Sequence, residues 1–263
     1  MYKIGRSTGY YFKLTDEDME EHRKSGMTYI EHCMAIRQYY EPSYVAQMAA
    51  RHDVKLWSCH LPYFPYELYD PSSPDKEKRK RTFDRCTEEI VKSAAVGVDK
   101  FVLHPGIPFE DESERPDRLK CSMEFLNELA EFAHREGAVI AVEDMPHCIG
   151  RSVDEIEALV SVNPKLRVCF DVNHLLNNTH SQFIDRLGDR IVTVHLSDYD
   201  LVEEKHWFPK EGKIDWVSLM AKLYGSGYKG IWMYECKPME RTPQMFYDTA
   251  VEILRKAGVP EID

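Results

Sequence analysis

With 263 residues, the chain has room for one large α/β domain or two small ones. Its composition is that of an ordinary globular protein, and no apolar run nears the roughly 20 residues that span a bilayer; disordered and membrane-spanning classes are set aside. A formal net charge of −11 argues against nucleic acid as a partner, because gripping phosphates takes a concentrated positive surface.

The first residues, MYKIGRSTGYYF, lack the apolar centre of a secretion signal and read as a strand from residue 2. That run, YKIGRS (2–7), is the first of eight. The others are YIEHCM (29–34), LWSCHL (56–61), KFVLHP (100–105), VIAVED (139–144), RVCFDV (167–172), IVTVHL (191–196) and GIWMYEC (230–236). Amphipathic helical patterns lie between them, clearest at 76–96, 117–136 and 243–257. The basic run KEKRKR (76–81) opens one of these helices and reads as a solvated face. Gly97, Gly137, Gly188 and Gly230 stand where helices should end or the next strands begin. Strands alternating with helices predict a parallel sheet closed as a single (β/α)8 TIM barrel over residues 1–263. An open doubly wound sheet would carry GxGxxG after its first strand, and GRSTGYY is not that motif. Seven cysteines, at 33, 59, 86, 121, 148, 169 and 236, form no CxxC pair and predict a reducing, cytoplasmic setting.

The ends of these runs carry the chemistry. Glu31 and His32 fall within the second, His60 near the end of the third and His104 at the end of the fourth. Glu143 and Asp144 end the fifth, Asp171 lies in the sixth, His195 in the seventh and Glu235 in the eighth. Strand C-termini of a barrel converge on one face, which is where such proteins place their active sites. Glu143, Asp171, His195 and Glu235 therefore meet, each behind a run too apolar to hold a lone charge cheaply. Three carboxylates together repel one another unless a cation sits among them. Three oxygens and one imidazole suit one Mn²⁺ best, with Mg²⁺, Co²⁺ or Zn²⁺ as alternatives.

His60 and His104, on the same face, point to substrate contact. His174, three residues beyond Asp171, is read as a substrate contact, a second-metal ligand or a helix cap. Aromatic residues follow the same strand ends: Tyr10, Tyr11 and Phe12, then Tyr39 and Tyr40, then Tyr63, Phe64 and Tyr66, and finally Trp207 and Phe208. Flat rings suit the C–H faces of a sugar and keep bulk water away, so a small polyhydroxylated ligand is expected, with Trp207 among its contacts. Arg6, Arg151 and Lys210 read as surface or loop charges rather than anion holders.

On VAVEDMP, VCFDVNH, VHLSD, HWFPKEGKIDW and MYEC, in that order and spacing, the chain resembles the xylose isomerase-like TIM barrels of the sugar phosphate isomerase/epimerase group. That group includes ketose 3-epimerases, hydroxypyruvate isomerases, inosose dehydratases and, more distantly, endonuclease IV. The resemblance implies that Glu143, Asp171, His195 and Glu235 ligate the metal. It also implies that Glu143 and Glu235 flank the substrate as acid and base, passing a proton through an enediolate. His174 matches the second polar position of the Asp-x-x-His element. His206 is the nearest match to the epimerases' basic residue and joins the substrate contacts. Three positions depart from the pattern: Lys210 replaces the first glycine of the PGxG turn, that basic residue is not an Arg, and Ile149 stands where the epimerases have a further Glu. Relatives in this group often assemble as homo-oligomers.

The expected function is metal-dependent isomerisation or epimerisation of a sugar-like carbonyl compound. The rivals are a lyase or dehydratase with the same first step, an endonuclease IV-like phosphodiesterase and a sugar-binding barrel without catalysis. The phosphodiesterase would draw on His60, His104, His174, Glu204 and His206 besides the four ligands. The acidic stretches 15–22 and 109–117 argue against it by repelling a DNA backbone.

Overall fold

The computed structural model describes residues 1–10, 14–34, 39–175, 177–237 and 241–261. All eight expected strands form: β1 (Ile4–Ser7), β2 (Tyr29–Cys33), β3 (Lys55–His60), β4 (Lys100–Leu103), β5 (Val139–Glu143), β6 (Arg167–Asp171), β7 (Ile191–His195) and β8 (Trp232–Tyr234). They pair in parallel from β7 through β1 to β8, and a helix follows each strand. The helices are α1 (Asp16–Ser25), α2 (Pro42–Arg51), α3 (Lys76–Ala94), α4 (Arg115–Arg135), α5 (Val153–Ser161), α6 (His180–Leu187), α7 (Trp216–Gly225) and α8 (Pro243–Lys256). The architecture is the expected (β/α)8 barrel. Closure between β7 and β8 rests on one bridge, Leu196 to Tyr234. There Leu196 N–H donates to Met233 O at 2.9 Å and Glu235 N–H donates to Leu196 O at 3.1 Å, which seals the barrel at the height of His195 and Glu235.

Local chemistry explains where the helices begin. Thr15 with Asp18, and Thr179 with Gln182, form reciprocal capping boxes on α1 and α6. Asp75, Ser152, Asp215 and Thr242 cap α3, α5, α7 and α8 with side-chain oxygens. Gly97 and Gly137, just past α3 and α4, take φ of +90° and +76°, the left-handed turn that ends a helix. Gly188 also ends its helix, α6, but with helical dihedrals, and a 3₁₀ turn over Gly188–Arg190 follows. The basic run does open α3, where Lys76, Lys80 and Arg81 are exposed and Lys80 pairs with Asp84 one turn on. Thr82, Cys86, Glu89, Ile90 and Ser93 form its buried side.

Two register shifts matter for the site. Between β2 and β3, Ile30 pairs with Leu56 but Glu31 pairs with Ser58, leaving Trp57 as the extra residue. Between β6 and β7, Val168 pairs with Ile191 but Cys169 pairs with Thr193, leaving Val192 extra. Because side chains alternate along a strand, an extra residue re-aims everything after it. The shifts bring Ser58 abreast of Glu31 and His195 abreast of Asp171. Beneath the site, Val102, Ala141 and Cys169 pack together, one strand period below His104, Glu143 and Asp171.

The loop after β7 is tied down by one buried carboxylate. Asp198 Oδ1 accepts from Tyr199 N–H and Ile214 N–H, and Oδ2 accepts from Lys210 N–H and Trp216 Nε1–H, both at 2.8 Å. This explains why VHLSD and GKIDW occur together. Lys210 takes φ +75°, a left-handed conformation in which a side chain costs roughly 1–2 kcal/mol. It does so at the position where the resembled family has glycine. Gly212 passes so close to Asp198 and the Tyr199 carbonyl that a methyl group would overlap both. Gly212→Ala should cost about 1–3 kcal/mol and lower the melting temperature by several degrees in a thermal melt. An unchanged midpoint would mean the loop is not held this way.

Candidate metal centre

The strand ends bring the four predicted ligands together. One donor atom from each of Glu143, Asp171, His195 and Glu235 lies within 4.8 Å of the others, and all four residues are buried. His195 Nδ1 faces Glu143 Oε1 at 2.9 Å, Glu235 Oε2 at 3.1 Å and Asp171 Oδ2 at 3.9 Å. Asp171 Oδ2 is buried and makes no hydrogen bond. A bare carboxylate oxygen among three other charged or titratable groups is the arrangement a cation relieves, and the donor set fits a divalent ion.

The quartet has neighbours on both sides. His60 Nε2 and His104 Nε2 approach Glu143 Oε2 at 3.0 and 3.1 Å. On the other flank, His174 Nε2 lies 3.6 Å from Asp171 Oδ2, and His206 Nε2 lies 2.9 Å from Glu204 Oε1. His60–His104–Glu143 and Asp171–His174–His206 thus form two further clusters of metal-ligand geometry, each sharing a residue with the quartet. Carbonyl oxygens orient three of these rings: Leu61 O faces His60 Nδ1, Asp144 O faces His174 Nδ1, and Glu235 O faces His206 Nδ1. A carbonyl only accepts, so each Nδ1 carries the hydrogen and Nε2 is turned to the site. His206 also holds φ +54°, a strained conformation of the kind that clusters at functional sites.

Electrostatics follow from burial and crowding. Burial pushes the Asp171 carboxyl up to about 6, even with His174 and His206 beside it. Burial opposes ionisation of Glu143 and Glu235 as well, but His195 beside both, and His104 beside Glu143, outweigh it. Glu143 is held well below the usual carboxylate range and Glu235 near a pKa of about 2. Burial would depress His174 and His195. It is overcome at His174 by Asp171, Glu204 and Glu143, and at His195 by Cys169, Glu31, Glu235 and Glu143, so both rings sit well above the usual histidine value.

Above the quartet opens a cavity of about 230 Å³. Glu143, Glu235, His60, His104, His174 and His206 line it, together with Tyr10, Tyr63 and Tyr66. Tyr63 stacks on His104 with centroids 4.1 Å apart. Trp207 is not part of this lining: its backbone pairs with Asp198 beside the loop anchor. Phe208 packs on Phe246, Tyr39 bonds Glu89, and Tyr40 stacks on Tyr44. Tyr11 and Phe12 lie outside the described residues. Arg6 is buried over the Phe246 ring rather than on the surface, Arg151 pairs with Glu112, and Lys210 pairs with Glu252. Two contributors went unassigned in the sequence. Glu31 Oε1 accepts from His195 Nε2 at 2.8 Å, and Ser7 Oγ donates to Glu235 Oε1 at 3.2 Å. Both partners are more than 160 residues away along the chain.

Residues 19–257 match the family described as the xylose isomerase-like TIM barrel. The chain belongs to that family. It is 27% identical over 193 residues to a probable endonuclease 4 of Acholeplasma laidlawii, a match covering 65% of this chain and 64% of that one. It is 28% identical over 146 residues to the fructoselysine 3-epimerase of Escherichia coli O157:H7, covering 52% of this chain and 53% of that enzyme. The chain therefore aligns with about half to two thirds of these relatives' lengths. The crystal structure of a D-tagatose 3-epimerase-like protein superposes with a TM-score of 0.84 at 21% identity, over 97% of this chain and 98% of the other. No described helix is long and apolar enough to cross a membrane.

Raised histidine pKa values give a signed expectation. A group held above its unfolded value contributes stability that is complete below about 6.5 and fades as pH rises through the folded value. In EDTA the protein should lose melting temperature as pH climbs above about 6.5, and excess Mn²⁺ should flatten the fall. A flat profile in EDTA would show that His174 and His195 do not hold protons in the folded chain.

Proposed function

We propose that residues 1–263 form one barrel domain that acts as a divalent-metal-dependent isomerase or epimerase. It would move a proton next to the carbonyl of a sugar or sugar-like compound. The observation that supports this most is which members of the quartet reach the cavity: Glu143 and Glu235 line it, whereas Asp171 and His195 are not part of its lining. A Mn²⁺-like ion held by the four supplies Lewis acidity toward a carbonyl and its neighbouring hydroxyl. Glu143 and Glu235 are then the two carboxylates with access to the substrate's carbon, one taking the proton and the other returning it. A ligating carboxylate is a weak base, so the shuttle works only where the substrate is acidified by more than the glutamate is weakened.

The surroundings fit that role. Ser7 fixes Oε1 of Glu235, and His195 faces Oε2. Gly9 leaves room for the same carboxylate, since a methyl group there would fall 2.8 Å from Oε1. Tyr10, Tyr63 and Tyr66 offer ring faces to a sugar and displace water. His60, His104, His174 and His206 offer polar contacts to its hydroxyls. The likeness to a fructoselysine 3-epimerase supports the same reading. The seven free thiols support a reducing, cytoplasmic setting.

The direct test is proton exchange into ketoses, inososes and oxidised glycosides in deuterated water, with Mn²⁺ saturating. Glu235→Gln should lower exchange by about 10²- to 10⁴-fold while substrate still binds. Near-normal exchange in that variant would remove Glu235 from the shuttle. A product lighter by water or an aglycone would turn the assignment to a lyase.

The two flanking clusters favour one alternative, a phosphodiesterase holding several ions, of the class named by the endonuclease 4 relative. Metal analysis of the replete protein discriminates between them. About one ion per chain is expected for the isomerase. About three, with cleavage of abasic DNA, would overturn that reading.

A further inference from the structure

We infer that Glu31, braced by Ser58, is a positioning residue that sets the tautomer and ring angle of His195 and thereby the cation affinity of the quartet. The inference rests on the quartet holding a cation, as proposed above, and not on which reaction follows.

Glu31 and His195 are both completely buried, and Glu31 Oε1 receives His195 Nε2 at 2.8 Å. Its other oxygen, Oε2, accepts from Ser58 Oγ at 2.7 Å. An ionised carboxylate accepts and cannot donate, so the hydrogen of this contact belongs to His195 Nε2. That leaves Nδ1 as the ring atom turned to Glu143, Glu235 and Asp171, where a bound cation would take the place of the proton that Nδ1 now shares with Glu143. Without Glu31 the imidazole could present either nitrogen and rotate about its side-chain bonds. A ligand that must be oriented at the moment of binding gives a weaker site than one held in advance.

The backbone supports this reading independently. β3 and β7 each carry one extra residue, Trp57 and Val192, in the strands that supply Ser58 and His195. Without the first shift Ser58 would not stand level with Glu31, and without the second His195 would not stand level with Asp171. Glu31 lies at the centre of β2, and no residue of that strand lines the cavity. A buried carboxylate that never meets substrate, fully satisfied by a metal-facing histidine and a serine, is accounted for by orientation of that histidine.

The test is Mn²⁺ titration of EDTA-stripped wild type, Glu31→Ala, Glu31→Gln and Ser58→Ala by calorimetry and by the signal of free Mn²⁺ in electron paramagnetic resonance. Glu31→Ala should bind Mn²⁺ about 10- to 100-fold more weakly. Glu31→Gln retains an acceptor oxygen and should recover most of that loss. Ser58→Ala should sit between wild type and Glu31→Ala. In the Zn²⁺-loaded, ¹⁵N-histidine-labelled protein, His195 should show a single Nε2–H tautomer in wild type and Glu31→Gln. It should show mixed or altered signals in Glu31→Ala. A residue with a merely structural role would change the melting temperature of the metal-free protein and leave both readouts alone, which would overturn the inference. If Glu31→Ala does not fold, wild-type affinity in both Glu31→Gln and Ser58→Ala, with an unchanged His195 spectrum in Ser58→Ala, overturns it equally. Wild type that binds no Mn²⁺ would sink the metal reading itself; bound Mn²⁺ with indifferent variants would sink only the role of Glu31.

Discussion

Like charges crowded out of water are the constraint on which the rest of this barrel depends. Glu143, Asp171 and Glu235 converge at its mouth with His195 between them, all buried. Ionised carboxylates in such a place repel one another and have lost their hydration, and a single imidazolium answers only part of that charge. The chain holds them there by spending little flexibility: each sits at the end of a strand, or one residue past it, on a sheet closed on itself. A site that holds such a cluster in advance would bind a cation with little rearrangement.

The irregular parts of the fold are those that serve this site. Regular pairing fills the lower barrel with Val102, Ala141 and Cys169. The two register shifts occur in β3 and β7, the strands that deliver His60 and His195. The bridge that closes the cylinder lies beside His195 and Glu235. The β7 loop, which carries Glu204 and His206, is held by the four hydrogen bonds of Asp198 and crosses a gap that only Gly212 can occupy. Substitutions of family positions also fall around the site: Lys210 adopts a glycine-like backbone, and Ile149 is a buried apolar residue where the epimerases carry an acid. Neither change touches the four clustered side chains.

Much of this was legible beforehand because it is periodic or local. The eight strands announced themselves as short apolar runs, and α3, α4 and α8 as amphipathic stretches. The quartet was legible because polar residues at matching depth in successive strands of a barrel have one place to go. Trp207 was misplaced by the same logic. It follows β7 closely, but its direction is set by backbone pairing with Asp198, which no local pattern encodes. Gly188 does mark the end of α6, but the 3₁₀ turn that follows it before β7 has no local signal.

The amino-acid sequence by itself determined the number and order of strands and helices, the closed parallel sheet and the identity of the four side chains that cluster at its mouth. Those follow from side-chain periodicity and from the geometry common to every barrel of this class. Only the tertiary structure decided that Glu31 stands behind His195, that Ser7 steadies Glu235, that Arg6 is buried and that two further donor clusters abut the quartet. Those facts depend on register shifts of single residues and on contacts between positions far apart in the chain. A one-residue slip reverses every side chain beyond it, and nothing in the order of residues along a strand reveals where the slip occurs.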